Sequence, residues 1–102
     1  MIIFNTTYHV EMATVDDFVT YVRNQFVPAA TRSEELTHPR LTRILSHEDE
    51  GGVSFALQFQ VTDPMKLDDW YDEIGDELNE EFVANFGEKV VGFSTLMEVI
   101  DL

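Results

Sequence analysis

The chain has 102 residues, 44% hydrophobic and 12% aromatic, with 20 acidic against 6 basic residues and a net charge of −14. That length serves one core and not two, so a single packed domain is expected. The charge speaks against binding to nucleic acid or anionic membranes, which both need cationic protein surface, and the lack of cysteine removes disulfides, zinc–thiolate sites and thiol catalysis.

The chain opens "IIFNTTYHVE". No basic region precedes the apolar start, which turns polar at Asn5, so it does not read as a secretory leader. No apolar run approaches the ~20 residues of a membrane span. A cytoplasmic location is the default expectation. Residues 2–11 read as a strand with Ile2, Phe4, Tyr8 and Val10 on one face and Ile3, Asn5, Thr7 and His9 on the other. Thr14 then reads as an N-cap, with Asp16 and Asp17 favoured in the first turn by the helix dipole. Val15, Phe18, Val19, Val22 and Phe26 follow at helical spacing. Pro28 should break or kink this first helix, because proline disfavours helical geometry in the residue before it.

"THPR" reads as a turn. Residues 40–48 and 53–61 read as two strands, and "DEGG" between them is the hairpin signal, since adjacent glycines supply positive φ. The second helix starts at Asp63 as cap with Pro64 in the first helical position. Its apolar stripe is Leu67, Trp70, Tyr71, Ile74, Leu78, Phe82 and Phe86, and Gly87 is its stop. Gly75 lies near that stripe, and close packing on the first helix is the simplest reason for it. A last strand, "KVVGFSTLMEVI", completes the order strand, helix, strand, strand, helix, strand. That order predicts an α+β fold, the ferredoxin-like βαββαβ sandwich. Its four-stranded antiparallel sheet would have strands one and three central and both helices on one face.

The helix stripes must cover the apolar sheet face. Ser54, Ala56, Gln58 and Gln60 would then join Asn5, Thr7 and His9 on the helix-free face. Hairpin parity decides the second strand. An even loop places Arg43, Leu45 and His47 on that open face; an odd loop turns Arg43 and His47 inward. Burying charge is costly, so the even loop is preferred. The candidate ligand-binding set is therefore Asn5, Thr7, His9, Arg43, His47 and Gln58.

"IIFNTTYHVE", "HPRLTRIL", "VSFALQFQV", "LNEEF" and "VVGFSTLMEVI" resemble an uncharacterised bacterial family of domains of about 100 residues. The resemblance covers nearly the whole chain. It implies the dimeric α+β barrel branch of the ferredoxin-like fold, in which two sheets pack through their helix-free faces. It carries over no activity and no catalytic residues. Haem-degrading and antibiotic-biosynthesis monooxygenases share that architecture. The haem branch places a haem-ligating histidine on its second helix, and the second helix of this chain has none.

The polar open face is either a solvated sheet surface or, in a dimer, the lining of a shared cavity. His9 has the right titration range for a general base; a hydrogen-bonding structural role is the simpler reading. His38 precedes Pro39 in the turn and should be exposed. His9 and His47 sit on separate strands without a metal-ligand spacing, and no EF-hand, nucleophile elbow, phosphate loop or dinucleotide fingerprint is present. No metal and no cofactor are expected. Arg40 and Arg43 stand out in so acidic a chain; either can hold a carboxylate through its bidentate fork or pair with a neighbouring acid. The acidic outer face of the second helix reads as solvated surface, with docking of a basic partner as the sharper alternative. The resulting expectation is a homodimer that binds a small ligand at the helix-free face. The alternatives are a cofactor-independent enzyme using His9 with Arg43 or His47, and a non-catalytic interaction module using the acidic helix.

Overall fold

Period-two alternation in the two central strands sets the layers of this chain. The computed structural model describes residues 1–45 and 51–102. Its strands are β1, Ile2–Glu11; β2, Thr37–Arg43; β3, Gly52–Val61; and β4, Val90–Glu98. They form one sheet in the order β2-β3-β1-β4, with every neighbouring pair antiparallel. Phe4, Tyr8 and Val10 of β1 and Val53, Phe55, Leu57, Phe59 and Val61 of β3 are buried in one core with the helix residues. The ferredoxin-like βαββαβ arrangement, with β1 and β3 central, is the fold the chain adopts.

The first helix, α1, runs over residues 15–30 in three parts: an α segment Val15–Tyr21, a π turn Val22–Phe26 and an α turn Val27–Ala30. Pro28 does not break it. A proline lacks an N–H and clashes with the carbonyl four residues back. Here the turn just before it is widened, so that the Val27 N–H donates to the Val22 carbonyl, five residues back. Thr14 ends a short 3₁₀ turn, Met12–Thr14, and its hydroxyl makes no capping bond. The second helix, α2, runs over residues 64–86: Pro64–Trp70, a π turn Tyr71–Gly75, then Asp76–Phe86. Asp63 caps it as expected, its Oδ1 accepting from the Lys66 N–H at 3.1 Å. Gly87, at φ +54°, ends it.

Trp70 ties the two helices together. Its side chain is 1% exposed. The indole Nε1–H donates to the Ala30 carbonyl at 2.8 Å, satisfying an acceptor that a helix end leaves orphaned. Gly75 is buried in the segment of α2 that meets the end of α1, and the tightest constraint on it comes from its own helix. A Cβ there would run into the Trp70 ring and lie 2.9 Å from the Tyr71 ring. The π turn closes over five residues and so brings position 75 into line with position 70. Farther along, Tyr8, Phe18, Phe82 and Phe86 form an aromatic cluster. Tyr8 stacks on Phe82 at 5.2 Å, and Phe18 meets Tyr8 edge-on at 5.3 Å.

Two expectations for β2 fail. The strand begins earlier, at Thr37, and takes in the "THPR" stretch through a bulge between Thr37 and Arg40, where His38 has φ +53°. Proline and a bulge are tolerated because β2 is an edge strand. The hairpin also has the other parity. Leu41 lies opposite Leu57 and Arg43 opposite Phe55, so Arg43 is on the helix-covered side. The cost of burying charge does not apply there. Arg43 is exposed at the rim, and its aliphatic stem covers apolar surface while the guanidinium stays in water. His47 lies outside the described residues.

Gly75→Ala should lower the melting temperature by about 4–8 °C per kcal/mol of strain. An exposed helix site would instead gain ~1 kcal/mol from the same change. Thermal unfolding followed by circular dichroism checks the sign. Burial also raises the Tyr8 phenol far above its usual value of 10.0. Tyr21 and Tyr71 are raised for the same first cause. The folded state thus holds these protons more tightly than the unfolded chain, so their contribution is intact below pH 10 and is lost as the pH climbs above it. Phenolate absorbance should therefore appear together with loss of the helical signal, and Tyr8→Phe should move that alkaline transition upward.

Candidate functional site

The helix-free face is laid out by the register of β1 with its two neighbours. Four rows cross it: Ile3 with Gln60 and Met97, Asn5 with Gln58 and Thr95, Thr7 with Ala56 and Phe93, and His9 with Ser54 and Val91. Polar groups gather on β1 and β3, and apolar groups stand on β4. Phe93 is 65% exposed and Val91 54%. No helix covers them, since α1 and α2 occupy the other side.

Asn5 behaves unlike its neighbours. It is 7% exposed although it stands on the face without helices. Its Nδ2 donates to the Thr7 Oγ1 at 3.1 Å, while its Oδ1 is buried without a hydrogen-bond partner. An unsatisfied buried acceptor costs about 1–3 kcal/mol. The position therefore stores an unmet hydrogen bond at the centre of the face.

Two hollows flank it. One, about 250 Å³, is lined by Thr7, His9, Ser54, Val91, Gly92 and Phe93. The other, about 150 Å³, is lined by Ile3, His38, Arg40, Gln58, Phe59 and Gln60. The His9 imidazole is half-buried and lies directly over Gly52, where any Cβ would collide with the ring and come within 2.9 Å of the Val10 carbonyl. A glycine at position 52 is thus what lets the imidazole lie flat beside the first hollow. Chemically, the two hollows offer amide and hydroxyl hydrogen bonding, the imidazoles of His9 and His38, the Arg40 guanidinium and an exposed aromatic ring. Among the described residues no three His, Cys, Asp or Glu side chains gather to hold a metal ion.

The six sequence candidates therefore separate. Thr7 and His9 share the first hollow, Gln58 lines the second, and Asn5 sits between them in the row of Gln58. Arg43 belongs to the opposite side of the sheet. Of the residues lining the second hollow only Gln58 was in that set; His38 and Arg40 are the two basic side chains it missed. His38 is exposed as expected, but it lies in β2 and not in a turn, and the bulge brings it to the hollow while its Nδ1 stays 3.0 Å from the Thr37 Oγ1. Arg40 lies opposite Gln58. The clue in the sequence was the Pro39 beside them, which signals an edge-strand irregularity as readily as a turn.

Comparison with known proteins places the chain by family and fold. The model of a family described as a domain of unknown function, DUF4286, matches residues 1–100. No curated protein matches. Among solved structures the chain is similar to HapK from Hahella chejuensis, with a TM-score of 0.72 at 13% identity, covering 98% of this chain and 93% of that one. It is also similar to an ethyl tert-butyl ether D (EthD) family protein from Bacillus halodurans, with a TM-score of 0.71 at 13% identity over 98% of this chain and all of that one. A dimeric ferredoxin-like protein from an uncultured marine organism gives a TM-score of 0.62 at 6% identity, over 100% of this chain and 99% of that one. At such identities the likeness is one of fold.

Proposed function

The chain belongs to the DUF4286 family, and from that premise we propose that it is a homodimeric binding protein. Two helix-free faces pack together and enclose a small ligand between them. The observation that carries this reading is the exposure of Val91 and Phe93 in the same rows as His9 and Thr7. Apolar groups of this size on an uncovered sheet face call for cover. The 250 Å³ hollow beside His9 would be closed by a partner sheet, and low-dielectric cover strengthens every hydrogen bond made inside it. One fold neighbour is described as dimeric, which supports the same assembly.

The ligand set in this reading is Asn5, Thr7, His9 and Gln58, with Arg40 reaching the second hollow. Asn5 supports it because its buried Oδ1 lacks a donor. A ligand N–H or O–H, or a donor from the second copy, would supply one. The fitting ligand is small, with an apolar body for Phe93 and Val91 and at least one hydrogen-bond donor. No reaction is assigned to the face.

Native mass spectrometry tests both parts. The expected species is a dimer at micromolar concentration, carrying a small added mass when a ligand is retained. A monomer at that concentration contradicts the reading. Phe93→Glu places a charge in each of the two symmetric contacts and should raise the dissociation constant by about a hundredfold or more, with the helical circular-dichroism signal unchanged. A dimer that survives this change unweakened would move the interface elsewhere.

A further inference from the structure

A further concavity lies on the other side of the sheet, between α1 and the edge strand β2. It has a volume of about 460 Å³, within the range of about 300–1,000 Å³ common to small-molecule sites. Its floor is apolar, built from Val19, Val22, Val27, Leu41, Phe55 and Leu57. Its rim carries Arg23 from α1 and Arg40 and Arg43 from β2. These are three of only 6 basic residues in a chain with 20 acidic ones. Among the described residues none of the three is ion-paired.

That distribution is unlike a random scatter of solubilising charge. Guanidinium groups stay protonated at any physiological pH. Three around one opening repel one another and focus a positive potential into a cleft with low-dielectric walls. A bound oxyanion would relieve that repulsion and accept the bidentate bonds the guanidinium fork offers. The floor supplies no polar partner, so the rest of such a ligand must be apolar.

We propose that this groove binds a monoanionic amphiphile, a carboxylate carried on an apolar tail. The tail lies along Val22, Leu41 and Leu57, and the carboxylate lies between Arg23 and Arg43, with Arg40 at the mouth. The site lies across the sheet from the helix-free face and shares only the edge residue Arg40 with it. Arg43 takes part because the hairpin register turns it toward α1 and away from that face. The high negative charge of the rest of the molecule selects against small free anions, so charge alone does not hold this ligand; the tail and the head are both required.

Decanoate titrated calorimetrically into the full chain is the test, with decanol and decyltrimethylammonium as neutral and cationic probes of matched tail. Decanoate should bind about tenfold or more tightly than either. In Arg23→Gln/Arg43→Gln its affinity should fall about tenfold, while decanol binding stays the same. Methyl resonances of Val22, Leu41 and Leu57 should shift on decanoate addition, and those of Val91 and Met97 should not. Equal binding of the three probes, or shifts confined to Val91 and Met97, would overturn the assignment. So would a folded double variant that keeps its decanoate affinity. The probe series on the unaltered chain decides the matter even if the double variant fails to fold. Loss of the dimer by Phe93→Glu should leave decanoate binding intact, so the two sites fail separately.

Discussion

The register between β1 and β3 is the constraint on which the rest of the molecule depends. Ten consecutive pairs, from Ile2 with Val61 to Glu11 with Gly52, run without a shift. A slip of one residue would exchange the two faces of β1 relative to β3. Phe4, Tyr8 and Val10 would leave the aromatic core, and Asn5, Thr7 and His9 would enter it. The same register carries Gly52 to the place where the His9 ring needs room, and the register of β1 with β4 carries Gly92 to the place where a Cβ would come within 2.8 Å of the Tyr8 ring. Both faces of the sheet are therefore fixed by the pairing of β1 with its two neighbours.

The helices accommodate that sheet through two widened turns. In α1 the π turn absorbs Pro28 and lets the helix reach Ala30. In α2 the π turn sets Gly75 under the Trp70 ring, and Trp70 reaches across to the Ala30 carbonyl at 2.8 Å. The two irregularities thus meet at one buried hydrogen bond. They explain why α2, whose outer face is crowded with like charges, holds its position: packing and this bond, not helix propensity, secure it.

Much of the fold was legible because its signals are local. Asp63 and Pro64 start α2, Gly87 ends it, and alternation in residues 2–11 and 53–61 marks the central strands. What escaped the sequence depends on partners far along the chain. The parity of β2 was judged from the cost of burying Arg43, but at a sheet edge only the stem of an arginine needs cover. The burial of Asn5 follows from its neighbours on β3 and β4, which no spacing within β1 reveals. Gly75 read as a helix–helix contact, and its approach to the Trp70 ring was missed because an ordinary α turn would not align the two. The candidate site was legible in part for the same reason: Asn5, Thr7, His9 and Gln58 share the helix-free face by alternation, whereas Arg40 and His38 reach it through a bulge.

The two faces of the sheet carry different chemistry. The helix-free face combines hydrogen-bonding groups with exposed aromatic surface, and the groove beside α1 combines an apolar floor with cationic groups. The central claim is that the first of these faces meets its own copy. An isotope-filtered nuclear Overhauser experiment on a mixture of labelled and unlabelled chains tests it most directly. Cross-peaks are expected between the Phe93 ring of one copy and open-face protons of the other. A dimer whose intermolecular cross-peaks all arise from α1, α2 or the β2 edge would contradict it.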